Sequence, residues 1–308
     1  MKEKNQKLET KRILIYIGST FILTWIYCLM LIYPMMNGET LSGVPAVMTQ
    51  LLVAAAMFFP AIGVLITRII TKEGFQNAWV RPNIKGNIKN YLLAYFGPAV
   101  LTVLGAMIYF VIFKGTFDPD CGYMKLTLEA AGTPAETIPM PLSTLMIIQA
   151  LQGIFLGPIM NFVTCFGEEW GWRGYLLPKL SQKFSVVPTL LISGIIWGLW
   201  HAPLTIVGHN YGVGYVGFPF TGIMAMCLFC TVMGVFLSYV SLKTQSCIPA
   251  VLGHGAINGF AAIGIYFTKD GGNPFVGPAP TGIVGMIPFV VVAVIMVLNL
   301  KKDGEVVD

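Results

Sequence analysis

Long apolar runs separated by polar connections dominate the hydropathy pattern of this 308-residue chain. A helix needs about 20 apolar residues to cross roughly 30 Å of hydrocarbon, and runs of this kind recur along the whole sequence. We predict eight membrane-spanning helices, at residues 13–34, 46–70, 91–113, 143–166, 186–207, 220–241, 248–267 and 281–300. The predicted fold class is therefore an all-α, polytopic membrane helical bundle.

Composition and charge agree with a membrane protein. Hydrophobic residues make up 56% of the chain and charged residues only 11%, against about 25% charged in an ordinary soluble domain. With both termini inside, the inner segments carry 16 of the 19 Lys and Arg residues, and the outer loops carry only Lys114, Lys125 and Lys269. Because basic loops are retained on the cytoplasmic side, we predict a multi-pass protein of the cell membrane with both termini cytoplasmic. The net charge of +5 then reflects topology and indicates no nucleic-acid partner.

Three regions follow from where the polar residues lie. Residues 1–142 form a predicted three-span region with a basic cytoplasmic linker at 71–90 and an acidic outer loop at 114–142. Residues 143–267 contain nearly all the polar side chains of the spans that need an explanation, and form the predicted functional core. Residues 268–308 supply the last span and a cytoplasmic tail.

Few ionisable side chains occur in the predicted spans. Such a group at membrane depth costs at least about 2.5–3.5 kcal/mol, so its presence there indicates a function. The candidates, at the end of span four and within spans five and seven, are Glu168, Glu169, His201 and His254. Asn258 follows His254 by four residues and therefore projects from the same helical face. Glu169 and Arg173 have the same spacing, which allows an ion pair that would lower the cost of burying either charge.

These groups suit hydrolysis if they meet in space. A glutamate near a histidine can hold and deprotonate a water, while a second histidine and a carboxamide can donate to the oxyanion. Alternatively, Glu168, His201 and His254 are candidate ligands for Zn²⁺, which would activate the water. The usual one-helix zinc signature H-E-x-x-H is absent from the sequence. The residues alone leave both a zinc-dependent and a metal-independent site open.

Each candidate also has a structural interpretation when taken alone. A glutamate at the end of a span can mark the membrane edge, and a histidine in a helix rich in Gly and Trp can bond across helices. Two small-xxx-small patterns, Gly194 with Gly198 and Gly255 with Gly259, predict close packing of spans five and seven against neighbouring helices. The joint occurrence of the polar groups, rather than any one of them, favours a shared site.

Three motifs in order resemble those of the CPBP intramembrane proteases, the family of type II CAAX prenyl endopeptidases and bacteriocin-processing or immunity proteins. The family patterns are E-E-x-x-x-R, then an aromatic residue (usually Phe) in F-x-x-x-H, then H-x-x-x-N or H-x-x-x-D. The matching stretches are "EEWGWR" (Glu168, Glu169, Arg173), "WGLWH" (Trp197, His201) and "HGAIN" (His254, Asn258). The second match departs from the usual pattern by carrying Trp in place of Phe.

This resemblance implies roles for the motif residues. Glu168 would be the base that activates water together with His201, while His254 and Asn258 would stabilise the oxyanion. The implied supporting residues are Glu169, Arg173 and Trp197. The implied activity is endopeptidase cleavage of a membrane-held substrate, either lipidated, leader or transmembrane, and the resemblance leaves Zn²⁺ dependence open.

Two functions of other classes remain as alternatives. One is a non-catalytic bacteriocin immunity protein, or another membrane partner protein, that uses the same polar cluster for structure or binding. The other, with less support, is a proton-coupled transporter, in which intramembrane Glu and His would relay protons. Against transport, the two halves of the sequence show no duplicated pair of broken helices.

The predicted spans place the candidate residues at different depths. If span five begins at residue 186, a rise of about 1.5 Å per residue puts His201 roughly 22 Å below the inner surface. Glu168, at the end of span four, lies close to that surface. A shared site requires these groups to meet, so we expect the span boundaries, rather than the motif match, to need correction.

Overall fold

The computed structural model describes residues 2–36 and 46–304, which form helices and connecting turns. Within these residues no β-strand occurs, and the only β-type pairing is an isolated antiparallel bridge between Phe117 and Thr268. The α-helices are α1 (Lys2–Tyr27), α2 (Tyr33–Met36), α3 (Ala46–Ala56), α4 (Phe59–Thr71), α5 (Ile88–Ile112), α6 (Gly122–Ala130), α7 (Leu142–Phe155), α8 (Gly157–Met160), α9 (Phe162–Gly171), α10 (Leu177–Ser181), α11 (Val186–Trp200), α12 (Ala202–Ile206), α13 (Phe220–Thr244), α14 (Ile248–Phe260), α15 (Ile263–Tyr266) and α16 (Ile283–Asp303). The predicted all-α fold class is confirmed.

Six helical stretches in the described part of the chain are long and apolar enough to cross a membrane. They are Gln6–Met36, Gln50–Thr71, Ile88–Ile112, Phe220–Thr244, Ile248–Tyr266 and Ile283–Lys302. The chain is therefore a multi-pass membrane protein, and the other two predicted spans correspond to the shorter apolar helices α7 and α11. The cytoplasmic location of both termini stays a prediction.

Proline and glycine explain why these two predicted spans are interrupted. Span 143–166 breaks where Gly157 and Pro158 begin α8, and span 186–207 breaks at His201, just before Pro203 in the first turn of α12. Proline lacks an N–H donor and is tolerated in the first turn of a helix, so it favours a new start over continuation. Predicted boundaries that ignored these positions were too long.

The outer faces of the long helices are apolar, as lipid contact requires. On α16, Val291, Val294, Ile295 and Leu298 are each more than half exposed, and their spacing places them on one helical face. The same face would destabilise a protein surrounded by water. Exposed aliphatic stripes therefore mark the lipid-facing surface of the bundle.

Small residues let the central helices approach closely. A Cβ added at Gly194 would lie 2.5 Å from Thr231 Cα of α13, and one at Gly198 would lie 2.4 Å from Cys227 Cα. Gly259 of α14 would meet Gly157 Cα of α8 at 2.8 Å. The predicted small-xxx-small contacts are confirmed, with α11 packed on α13 and α14 packed on α8.

Glu168 lies in the middle of a helical run, not at the end of a span. The run continues from α9 through a π-helical turn at Trp172–Leu176 into α10, which ends at Ser181. Glu168 is only 1% exposed, and α9 packs against α4 and α14. The predicted end of span four at residue 166 was therefore wrong, because the helical run that carries Glu168 continues to Ser181 and packs against α14, which carries His254.

Ion pairs, here called the polar clasp, join the end of this helical run to two earlier segments. Lys179 Nζ of α10 donates to Glu9 Oε2 of α1 and to Glu73 Oε1 beyond α4, each at 2.6 Å. Tyr175 Oη donates to Glu73 Oε2 at 2.7 Å, and Arg12 Nε lies 3.6 Å from the same oxygen. The clasp fixes α10, and with it the helix that carries Glu168, against α1 and α4.

The clasp predicts a pH-dependent contribution to stability. Burial raises the pKa of Glu73, but hydrogen bonds from Lys179 and Tyr175 and the nearby charges outweigh this and hold the pKa below its usual range. The carboxylate therefore stabilises the fold fully above its unfolded-state pKa of about 4.3, and this contribution is lost as the pH falls through the lower folded-state value. Glu73→Gln should cost on the order of 1.5–3 kcal/mol at pH 7, as for a hydrogen bond to a charged group.

Thermal unfolding of the full chain in detergent micelles, followed by circular dichroism at pH 7 and pH 3, measures this effect. The matched control is Glu129→Gln, because Glu129 pairs with Lys125 on an exposed surface, where an ion pair contributes about 0–1 kcal/mol. Equal midpoints for the two variants at pH 7 would contradict a stabilising role for the clasp.

Candidate active site

Glu169 is the central acceptor of a buried polar cluster. Its Oε1 accepts a hydrogen bond from Arg173 Nη1 one turn along the helical run and lies 2.8 Å from His254 Nδ1 of α14. Glu169 and Arg173 are fully buried, and His254 is 5% exposed. Because a carboxylate can only accept, His254 Nδ1 carries the proton in this contact. The predicted Glu169–Arg173 ion pair is present, and Glu169 also orients His254.

Arg173 is held by an aromatic ring as well as by charge. Its guanidinium carbon lies 4.1 Å from the centre of the Trp197 ring, a cation–π contact in a region removed from water. Its Nε and Nη2 atoms are buried and have no hydrogen-bond partner among the described residues. The positive charge is therefore balanced mainly by Glu169 and the face of Trp197.

Trp197 connects α11 to the two other helices of the site. Its indole Nε1 donates to Glu168 Oε1 at 2.5 Å, and its ring lies edge-on to His254 at 5.5 Å. The motif match indicated only an aromatic residue at this position, but the indole N–H supplies a hydrogen bond that Phe could not make. Glu168 is thereby fixed in orientation as well as buried.

His201 lies directly after α11, where the helix is broken. Its Nδ1 is 2.9 Å from the Trp197 carbonyl oxygen, and its ring packs edge-on against Trp200 at 4.7 Å. A carbonyl oxygen can only accept, so Nδ1 is the protonated nitrogen and Nε2 of the neutral ring is free to accept or bind a metal. His201 borders the cluster through Trp197 and has no direct hydrogen bond to Glu168 or Glu169 in the structure.

Asn258 lies one turn beyond His254 on α14 and is exposed. Its Nδ2 is 3.6 Å from Cys165 Sγ, one turn before Glu168 and Glu169 on α9. Thiol sulfur is a weak acceptor, so this amide can exchange its partner for an oxyanion at low cost. Sequence reasoning missed Cys165 as a contact of the site, because a cysteine in an apolar helix has the same pattern as an ordinary packing residue.

Three of these groups have the spacing of a metal site. One ligand atom each from Glu168, Glu169 and His254 lies within 4.8 Å of the others, and all three side chains are buried. The predicted zinc set paired Glu168 and His254 with His201, whereas the structure groups them with Glu169. Glu169 Oε2 is buried without a partner among the described residues, and three protein ligands are the number that catalytic zinc uses. The donor set fits Zn²⁺, although Arg173 already neutralises part of its charge.

Comparison with known proteins supports the resemblance drawn from the motifs. Residues 150–260 match a family model described as "Type II CAAX prenyl endopeptidase Rce1-like". A curated relative, "CAAX prenyl protease 2" of Methanococcus maripaludis, is 33% identical over 92 residues, which cover 30% of this chain. The aligned part spans about a third of the length of that relative, 34%. The similarity predicted from the three motifs is confirmed, and the matched region contains all seven motif residues.

The buried ion pair predicts a large effect of removing one charge. Arg173→Met would leave Glu169 with His254 as its one hydrogen-bond partner among the described residues, and breaking a buried pair in this way costs about 3–5 kcal/mol. The exposed Lys125, whose pair with Glu129 has the same four-residue spacing, provides the control Lys125→Met. Denaturant unfolding in micelles should give a far lower midpoint for Arg173→Met; equal stability of the two variants would show that Arg173 is not holding the cluster together.

Proposed function

We propose that this chain is an intramembrane endopeptidase that hydrolyses a peptide bond in a membrane-held substrate, with a water activated by Glu168. The observation that carries the proposal is the buried group of Glu168, Glu169 and His254, whose ligand atoms lie within 4.8 Å of one another. Such groups are costly in an apolar bundle and are retained where they perform chemistry. The similarity of residues 150–260 to the CAAX prenyl endopeptidase model supports the same activity.

Glu168 is the proposed general base. Its Oε1 is occupied by the Trp197 indole, which leaves Oε2 to accept a proton from water. His201, with Nδ1 on the Trp197 carbonyl, offers Nε2 as a second acceptor that can hold the same water. A base held in a fixed orientation is typically worth 10²–10⁴-fold in rate.

His254 and Asn258 are the proposed oxyanion donors. With Nδ1–H bound to Glu169, His254 can donate from Nε2 when it is an imidazolium, and the adjacent carboxylate stabilises that form. Among the described residues, the hydrogen-bond partner of Asn258 Nδ2 is a weak sulfur acceptor, Cys165 Sγ. Both donors lie on one face of α14, as stabilisation of a single oxygen requires.

The reaction then needs no covalent bond between the enzyme and the substrate. The water oxygen bonds to the scissile carbonyl carbon while Glu168 takes the water proton, and the carbonyl oxygen becomes the oxyanion held by His254 and Asn258. Collapse of this intermediate breaks the carbon–nitrogen bond, and the proton held by Glu168 passes to the leaving amine. The products are a carboxylic acid and an amine, and transfer of the acid proton gives the carboxylate and the ammonium ion. If Zn²⁺ is bound, Glu168, Glu169 and His254 would hold it, and it would lower the pKa of the attacking water.

The proposed substrates are peptides that lie in or on the bilayer, either lipidated, leader or transmembrane, and the proposed location is the cell membrane. The exposed apolar faces of the long helices and the buried site suit a substrate that arrives through the lipid. The curated relative is named a CAAX prenyl protease, so a prenylated carboxyl-terminal peptide is one member of the class to test.

Cleavage assays on the full chain in proteoliposomes test this proposal. The parent should cleave at least one member of a library of prenylated, leader-type and transmembrane peptides, with new termini identified by mass spectrometry. Glu168→Gln should lower the rate by about 10²–10⁴-fold and Asn258→Ala by about 10²–10³-fold, with unchanged unfolding midpoints.

The matched control for the loss of a carboxylate is Glu129→Gln, which lies on an exposed surface and should retain the parent rate. Treatment with a strong chelator separates the two chemical routes: loss of rate that Zn²⁺ restores identifies a zinc enzyme, and an unchanged rate identifies a metal-independent one. A Glu168→Gln variant that cleaves as fast as the parent, or a parent that cleaves nothing under either metal condition, would contradict the proposal and favour the immunity or membrane-partner function.

The indole hydrogen bond predicts that the Trp197→Phe variant cleaves its substrate slowly, although Phe keeps an aromatic ring. Loss of one hydrogen bond to a charged group corresponds to about 1.5–3 kcal/mol, or roughly a tenfold or greater drop in rate. Trp200→Phe is the matched control, because the Trp200 indole donates to Thr24 Oγ1 at 2.8 Å rather than to a proposed catalytic group. Equal cleavage rates for the two variants would show that the indole N–H does not orient Glu168.

A further inference from the structure

A second feature of the bundle is an open groove beside the candidate active site, between α7–α8 and α14–α15. Its volume is about 490 Å³, within the range of 300–1,000 Å³ typical of ligand sites. The residues that line the groove include Gln149, Gln152, Leu156, Met160, Asn258 and Phe260. We call it the glutamine groove.

The helices α7 and α8 supply the first wall of the groove. Gln149, Gln152 and Gly153 have the spacing that places side chains on one side of α7, and Leu156 and Met160 extend the wall across the helix break into α8. Both glutamines are exposed, and the other residues of α7 after Thr144 are apolar. Neither side chain forms a hydrogen bond with another residue in the described part of the chain. A carboxamide facing hydrocarbon without a partner is costly, so this face fits a polar occupant better than lipid.

Asn258 connects the groove to the site. It lines the groove, and its contact with Cys165 bridges α14 and α9 one helical turn from the layer of His254 and Glu169. One turn corresponds to about 5.4 Å along the axis. A chain lying in the groove would therefore reach the reacting groups within a residue or two.

The side chains that line the groove indicate which kind of molecule it can bind. Among the described residues, no Lys, Arg, Asp or Glu lines the groove, so this lining offers no partner for a phosphate headgroup or a free carboxylate. Carboxamides carry both a donor and an acceptor and thus match the two hydrogen-bonding groups of a peptide unit. Leu156, Met160, Phe260 and Ile263 supply apolar surface for side chains.

From these features we infer that the glutamine groove binds an extended, uncharged and apolar peptide segment of the substrate, with Gln149 and Gln152 pairing to its backbone. The inference rests on the proposed endopeptidase function, since it assigns the groove to the residues that flank the scissile bond. The groove would thereby exclude substrates that carry a charged residue next to the cleavage position.

Peptide binding to the Glu168→Gln full chain in nanodiscs tests the groove without requiring cleavage. The probe is a fluorescent, palmitoylated peptide with a Leu/Ala stretch too short to span the bilayer as a helix, compared with the same peptide carrying one central aspartate. Fluorescence anisotropy should show saturable binding of the first peptide and at least about tenfold weaker binding of the second, because the described lining has no cation to pair with the charge. Gln149→Leu and Gln152→Leu, each added to Glu168→Gln, should each raise the Kd of the first peptide by about 3- to 10-fold, as expected for one lost hydrogen bond.

The matched control is Gln50→Leu in the same background, because Gln50 is an exposed glutamine of an apolar helix remote in sequence from the groove. Its Kd should equal that of Glu168→Gln alone. Equal effects of the Gln50 and Gln152 changes, equal affinity for the two peptides, or no saturable binding would each overturn the inference. Saturable binding with this pattern, but without cleavage by the parent chain, would support peptide binding by the groove and overturn only the proposed catalytic function.

Discussion

A single carboxylate oxygen, Glu169 Oε1, accepts hydrogen bonds from both Arg173 Nη1 and His254 Nδ1, and thereby joins the helical run that carries Glu168 to α14. Burying an isolated charge in a low-dielectric interior costs several kcal/mol, and attraction offsets that cost only when the geometry is good. The four-residue spacing of Glu169 and Arg173 provides that geometry within one helical run. The contact with His254 then links this run to α14.

The need to compensate buried charges also accounts for the tryptophan on α11. Trp197 places its ring face against Arg173 and directs its N–H to Glu168, so one side chain compensates a buried cation and a buried carboxylate. The backbone carbonyl of Trp197 also fixes the tautomer of His201. The same contacts thus compensate the buried charges and orient the reactive groups.

Much of the fold and of the candidate site could be predicted from the sequence. Apolar runs predicted an all-helical membrane bundle, and the spacing of Glu169 with Arg173 predicted their ion pair. The helix break at Gly157 was missed, because hydropathy averages over a window and does not register where a proline begins a new helix. The polar clasp and the contact of Glu169 with His254 could not be predicted either, because they depend on the relative positions of helices far apart in sequence.

Whether Glu168 and His254 act as one unit is measured by a double-mutant cycle on the rate of peptide cleavage. Groups that act together show strongly non-additive losses, because the second substitution removes little once the first has disabled the site. We expect the Glu168→Gln/His254→Ala double variant to cleave about as slowly as the slower single variant. A double variant whose loss equals the product of the two single losses would mean that the residues act independently, and would contradict the shared site.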